Sequence, residues 1–350
     1  MNMKQEIAIL GHFGGNQTHN DGQTVKTKTL CEALERYHFK VHRIDTFYLK
    51  RNPLRFLFSF ITSIIHCSKI IILLSDKGRR FFFPIMHGLG ILGKSIYHDS
   101  IGGQLAKEAA ESKRFRKYLS AFRSNWVESE KLKNALTDLG VSNAEFVPNF
   151  KHITPIIPSD KDEHTSKTIP FRFCTFSRVM KEKGISDAIH AIATINARHH
   201  SNVANLSIYG PIEENYRDEF RALLKSHADY VAYKGIVEAE KSIAVLSHYF
   251  MLLFPTFWKG EGMPGTIIDA LGAALPIIAR RWDYCDEILE DGKNAWVYDF
   301  DQPQQLVDKI DYAISHPSEV MEMKIACLHA ALRYSEGHVM KKILQLLEQE

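Results

Sequence analysis

Two hydrophobic patterns alternate along this chain. EIAILG (6–11) is a short apolar run ending in glycine. After a polar loop, QTVKTKTLCEALERYH carries apolar residues at helical period with a mixed polar face, and FKVHRID predicts a second strand. KIIILLSD (69–76) is apolar on both faces, as buried parallel strands are. KSIYHDS (94–100) and RSNWVES (123–129) predict further strands, EKLKNALTDLG (130–140) a helix stopped by glycine, and AEFVPNF (144–150) a last short strand.

Residues 151–170, KHITPIIPSDKDEHTSKTIP, break this rhythm. They are proline-rich, polar and aperiodic, and predict a linker. A second cycle follows: FRFCTFSRV, ANLSIYG, YVAYKGIV and FMLLFPT as strands, with GISDAIHAIATINARH, YRDEFRALLKSHA and EKSIAVLSHY as the helices between them. LPIIARR, EILEDG, AWVYDF and two C-terminal helices close the chain. Strands alternating with helices imply parallel, doubly wound sheets, so the fold class is α/β with two Rossmann-like domains, 1–160 and 168–350, facing across a cleft. The last helix is a candidate to pack back on the first domain. A length of 350 residues agrees with two domains. Ligands of such folds sit at the carboxyl ends of strands, where loops turn into helices.

Composition adds a few exclusions. With 45% hydrophobic and 24% charged residues, disorder is a poor reading. The five cysteines form no C-x-x-C pair, which argues against a metal site or disulfide framework and for a reducing, cytoplasmic compartment. The N-terminus shows no apolar region of signal-peptide length. Residues 53–75 are strongly apolar, but Arg55, His66 and Lys69 interrupt them. The uninterrupted pieces are shorter than the ~20 residues a spanning helix needs, so a helix followed by a buried strand is expected.

Charge is unevenly spread. Residues 1–150 hold 22 Lys and Arg against 13 Asp and Glu (+9), residues 151–350 hold 22 against 28 (−6), and the two sum to the net +3. Between residues 50 and 95 there are eight basic residues and one acid, Asp76. With the aromatic run RRFFFP (79–84), this asks for an anionic partner, read as an anionic membrane surface and not nucleic acid.

Three turns carry candidate chemistry. Asp21-Gly22 precedes the first helix, where Gly22 either lets an anion approach exposed N–H groups or serves a tight turn at positive φ. In SRVMKEKGI (177–185), Arg178 and Lys183 lie at the carboxyl end of a strand and are either a diphosphate clamp or a solvated loop. In KGEGMPGTIIDALGAALP (259–276), Gly262, Pro264 and Gly265 open a helix whose first N–H groups face a ligand space. Glu261 stands on the approach and Asp269 in about the second turn, where an acid also suits the helix dipole.

Taken together these segments resemble the retaining nucleotide-sugar glycosyltransferases of family 4, of GT-B fold, in their bacterial capsule and exopolysaccharide branch. GEGMPGTIIDALGAALPIIA is similar to their E-x7-E region, SRVMKEKG to their R-x4-K-G motif and GGNQTHNDGQTVKTKTL to their N-terminal glycine loop. YHDSIGG, WVESEKLKNALTDLGVSNAEFVPNF and EILEDGKNAWVYDF also resemble family segments, so the likeness covers nearly the whole chain. It implies transfer of a hexose-type sugar from a UDP-sugar to a lipid-linked glycan in surface polysaccharide synthesis, peripherally at the inner membrane face. It further implies that Gly22, Arg178 and Lys183 hold the diphosphate and that Glu261 contacts the sugar. Backbone from Met263 through Gly265 to Thr266 would hold sugar and phosphate, Asp269 the ribose, and His98 would lie near sugar and acceptor, the alternative being a core histidine. Asp269 stands where the family has glutamate, and Ser177 where it has glycine. No D-x-D lies at a strand end, so no metal or other cofactor is expected. The alternatives are a sugar-nucleotide epimerase, a phosphorylase, or a silent partner subunit of a transferase.

Overall fold

The computed structural model describes residues 5–15, 21–154 and 169–349. They form two compact units, residues 1–150 with 336–350, and residues 151–335. Each is built on one six-stranded sheet whose neighbouring strands are all parallel.

The first sheet holds β1 (Glu6–Gly11), β2 (Lys40–Asp45), β3 (Lys69–Ile72), β4 (Ser95–Asp99), β5 (Ser124–Val127) and β6 (Ala144–Phe146), in the order β2-β1-β3-β4-β5-β6. Chain direction across the sheet reverses between β1 and β3. Right-handed crossovers therefore put the first helix, Gly22–Arg36, on one face and the helices Pro53–His66 and Asp76–Ile91 on the other. Residues 53–75 are the helix and buried strand that their broken apolar pattern predicts. No described helix is long and apolar enough to cross a membrane.

The terminal helix, Glu336–Glu348, belongs to this first unit. Val339, Met340, Ile343 and Leu347 pack into the cluster of Ile7, Ile9, Leu30, Leu34 and Trp126. Arg36 grips Glu336 with two parallel hydrogen bonds, Nε to Oε1 at 2.8 Å and Nη2 to Oε2 at 2.5 Å. At the other end, Lys69 donates to the Leu347 carbonyl, a cation on the negative end of the helix.

The second sheet holds β7 (Phe171–Phe176), β8 (Ala204–Tyr209), β9 (Val231–Gly235), β10 (Met251–Phe254), β11 (Ile277–Arg280) and β12 (Ala295–Tyr298), in the order β12-β11-β10-β7-β8-β9. This is the doubly wound order with its reversal between β7 and β10, so the ligand-binding position falls on the loops that follow those two strands. One face packs through Ile189, Ile192, Phe220 and Ile310, the other through Ile267, Leu271, Cys327 and Ala331.

The helices Asp76–Ile91, Leu105–Glu111 and Lys113–Ala121 lie where the sequence pattern predicts no element. Gly78, Pro84, Gly88 and Gly90 hide the first of these, because each is a breaker by propensity and only tertiary packing overrides it. Of the expected linker, residues 155–168 lie outside the described residues, and Lys151 forms a parallel bridge with Ser335. Ile343→Ala should lower the unfolding free energy of the first unit by about 2–5 kcal/mol, the cost of emptying a fully buried aliphatic site. Denaturant melts of the intact chain read this, with the transition of the second unit unmoved.

Candidate functional site

The loops after β7 and β10 meet because glycines let them. Gly184 has φ +69, and a Cβ there would overlap the Pro255 carbonyl oxygen just past β10. Gly210, after β8, has φ +127, and a Cβ there would overlap the Ser177 carbonyl oxygen just past β7. The first approach sets residue 184 against Pro255, beside a hydrogen bond from the Phe257 amide to the Glu182 carbonyl at 2.8 Å, and the second sets the loop after β8 against Ser177.

Lys183 ends a single 3₁₀ turn, Lys181–Lys183, and Glu261 sits on the loop after β10. The structure brings them together: Lys183 Nζ makes a direct ion pair with Glu261 Oε1, with only 14% and 8% of the side chains exposed. The same oxygen accepts from Thr256 Oγ1 at 3.1 Å. Thr256 closes the network by accepting from the Trp258 amide at 3.3 Å. Nothing in the sequence marks Thr256 beyond its place just past an apolar strand.

Arg178 leaves β7 on the same loop, half exposed, with Nη1 on Glu213 Oε1 at 3.0 Å. Pro264 stands immediately before the helix Gly265–Gly272, one position earlier than its expected place in the first turn. Thr266 Oγ1 donates to the Phe176 carbonyl at 2.7 Å, tying the helix start to the end of β7. Met263 is buried in the core, so only its backbone can face a ligand. Asp269 is buried, and its Oδ2 pairs with Lys151 Nζ at 3.1 Å. Burial raises the Asp269 pKa, and the Lys151 charge opposes that shift.

In the first unit, Gly22 is the first residue of its helix, and Asp21 caps that helix by accepting from the Thr24 amide at 2.8 Å. Gly22 has no positive φ, and a Cβ there would meet nothing within 4 Å. The tight-turn reading of Gly22 is thereby removed. Residues 16–20 of the glycine loop lie outside the described residues.

The structure buries His98. It lies in β4 with no exposed surface, its ring edge-on to Phe83 at 5.0 Å, and Nδ1 3.2 Å from Asn125 Oδ1. Burial, with the nearby Arg79 charge, pushes its pKa down to about 3, so the ring is neutral. Its other ring nitrogen, Nε2, is buried and has no hydrogen-bond partner among the described residues. Its neighbour Asp99 ends β4 and is buried as well. Lys26 Nζ donates to the Ser100 carbonyl at 2.6 Å and to Glu128 at 2.8 Å, and lies 2.7 Å from Asp99 Oδ1 in an ion-pair contact without hydrogen-bond alignment. Burial pushes the Asp99 pKa up to about 6 against the pull of Lys26.

Glu6, His42 and Cys67 also place ligand atoms within 4.8 Å of one another, at the amino end of the first sheet. Glu6 is already held by Lys40 at 2.9 Å and His42 at 2.7 Å, and burial pushes the Cys67 thiol up to about 11, away from the thiolate a metal needs.

Residues 170–316 match the family described as "Glycosyl transferases group 1". The match lies within the second unit and spans most of it. The sequence matches no curated protein. Among solved structures, the chain is similar to sucrose-phosphate synthase from Thermosynechococcus elongatus (TM-score 0.76, 13% identity, 99% of each chain covered). It is also similar to HepE of Anabaena in complex with UDP-glucose (TM-score 0.73, 14% identity, 98% of this chain and 99% of that one). TarM of S. aureus aligns with TM-score 0.64 and 17% identity over 80% of this chain, which spans about half, 55%, of TarM. At these identities the likeness defines the fold, and the fold is that of the GT-B glycosyltransferases.

Two outcomes follow from the geometry. Lys183→Met and Glu261→Gln should each destabilise the second unit, by up to about 3–5 kcal/mol where a buried charge is left unpaired, and the double variant should cost less than the sum. Thermal melts of the four proteins close that cycle. His98 should stay neutral from about pH 8 to about pH 4 in an imidazole NMR titration. Its depressed folded pKa means that its contribution to stability is intact above the unfolded pKa of 6.5 and is lost as pH falls from there towards about 3.

Proposed function

We propose that the chain is a retaining, metal-independent glycosyltransferase that moves a hexose-type sugar from a UDP-sugar to a lipid-linked glycan during surface polysaccharide synthesis. The observation that carries this reading is the meeting of Lys183 and Glu261 at the carboxyl ends of β7 and β10, beside the start of the helix Gly265–Gly272. It is supported by the match of the surrounding residues to the group 1 glycosyl transferases. The HepE complex with UDP-glucose and the pneumococcal O-GlcNAc transferase complex with UDP and GlcNAc support a UDP-sugar donor. The similar fold of WaaB, described as a lipopolysaccharide outer core galactosyltransferase, supports a glycan acceptor on lipid. Retention of configuration and independence of metal come from the family 4 resemblance.

The chemistry asks for stabilised charge. When the sugar–phosphate bond breaks, negative charge gathers on the departing diphosphate, and fixed cations with a helix N-terminus stabilise it without reorganisation. In this reading Lys183 and Arg178 supply the cations. Arg178 uses Nη1 on Glu213, and a guanidinium has further N–H donors for a phosphate. Glu261, its rotamer fixed by Lys183 and Thr256, contacts the sugar. Backbone at Met263, Gly265 and Thr266 holds sugar and phosphate, and Asp269 holds ribose hydroxyls, with Lys151 on its Oδ2. Gly22 offers a backbone N–H to an anion. His98, buried near the end of β4 with Nε2 unpaired among the described residues, keeps its place near sugar and acceptor in this reading.

Incubated with UDP-hexoses and lipid-linked oligosaccharide, the chain should release UDP and form a product with the anomeric configuration of the donor, read by NMR. Arg178→Gln should lower kcat/KM by about a hundredfold or more. No UDP release with any donor and acceptor, or undiminished turnover by Glu261→Ala, would overturn the assignment.

A further inference from the structure

The helix Pro53–His66 turns the wrong face outward for a protein in water. Its buried side holds only Phe56 and Ser63. Leu54, Leu57, Phe58, Ile61 and Ile65 recur at helical spacing and are all exposed, Leu54 to 80% and Phe58 to 73%. The helix Asp76–Ile91 lies on the same face of the first sheet, as the right-handed crossovers require, and Phe82 joins the two helices by packing 5.9 Å from Phe56 and 6.5 Å from Phe60. It adds exposed Phe81 and Ile85, and at its end Ile91 and Leu92 are 75% and 78% exposed. Scattered exposed apolar residues need no explanation, but a contiguous band of this kind marks a docking surface.

The charge around the band selects its occupant. Lys50, Arg51, Arg55, Lys77 and Arg80 are exposed, and Asp76 is the one acid between residues 50 and 95. Arg51 and Arg55 lie over the rings of Phe47 and Tyr48, 4.1 and 3.9 Å from their centroids. The next helix on this face, Lys113–Ala121, stacks Phe115 on Phe83 at 5.1 Å and brings Lys113, Arg114, Arg116 and Lys117. Apolar side chains ringed by Lys and Arg fit the boundary between acyl chains and anionic headgroups. A helix of 14 residues is about 21 Å long, short of the ~30 Å hydrocarbon core, so it suits lying in the interface and not spanning it.

We propose that this face of the first unit is an in-plane anchor on an anionic bilayer, with Leu54, Leu57, Phe58, Ile61 and Ile65 below the headgroups and the flanking Arg and Lys among them. It deepens the lipid-linked acceptor reading by naming the surface, and it has two separable parts. The electrostatic part falls with salt. The inserted part persists at about 1 M salt, where the screening length is about 3 Å.

The test is flotation of the full chain with vesicles of phosphatidylcholine, alone or with phosphatidylglycerol, without donor or acceptor. Lipid binding is thereby read apart from sugar transfer, and either reading can fail alone. The chain should float with the anionic vesicles at low salt and in part at about 1 M salt. Phe58→Ser with Ile61→Ser should bind at least about tenfold more weakly and lose the salt-resistant fraction, and Arg51→Gln with Arg55→Gln and Arg80→Gln should lose the salt-sensitive one. These positions are exposed, and circular dichroism with thermal melts checks that the variants fold. Absence of flotation with anionic vesicles at low salt would overturn the proposal, as would unchanged binding by the Phe58/Ile61 variant. So would a dimer in solution that those two substitutions dissociate, which would make the band an interface between copies.

Discussion

The meeting of Lys183 with Glu261 depends on a close backbone approach, the passage of Gly184 against the Pro255 carbonyl. Two parallel strands that neighbour each other at a topological reversal send their loops apart, one towards each flank. For these loops to carry one site they must touch before they diverge, and a side chain at residue 184 would hold them apart. With the contact made, Lys183 falls onto Glu261 and the ion pair is oriented by Thr256. The electrostatics of the site is thus a consequence of backbone sterics. Charge alone would not assemble it, since a partly buried ion pair gains little beyond the desolvation it requires.

The strands were legible because buried parallel strands leave a plain signature. KIIILLSD and FMLLFPT are apolar on both faces, and β3 and β10 fall within them. The loop positions of Arg178, Lys183 and Glu261 follow once the strands are placed. What was not legible is pairing across long stretches of chain. Lys151 on Asp269, Glu213 on Arg178, and Lys26 on Asp99 and Glu128 join residues that no local pattern associates.

His98 shows the finer limit. It and Asp99 both stand near the end of a strand that points at ligand space, and successive side chains of a strand point to opposite faces. The His98 ring turns in between Phe83 and Phe122, a placement that no local pattern in YHDS foretells. The helix Asp76–Ile91 shows the converse: its glycines and Pro84 argue against a helix one by one, while Phe82, Phe83 and Met86 bury together and decide the matter.

The terminal helix has a consequence for how the protein is made. The core of the first unit contains Val339, Met340, Ile343 and Leu347, yet the rest of that core is encoded before residue 151. A ribosome adding about 5–20 residues per second needs roughly 10–40 s to reach them. During that interval the nascent first unit has its sheet but lacks the helix that covers part of it, and Ile7, Ile9 and Leu34 have no lid. The second unit, continuous in sequence, needs residues up to Tyr334 for its own core, so both cores are completed only as the last part of the chain is made. The earlier half of the chain is the half that waits longest for its missing piece.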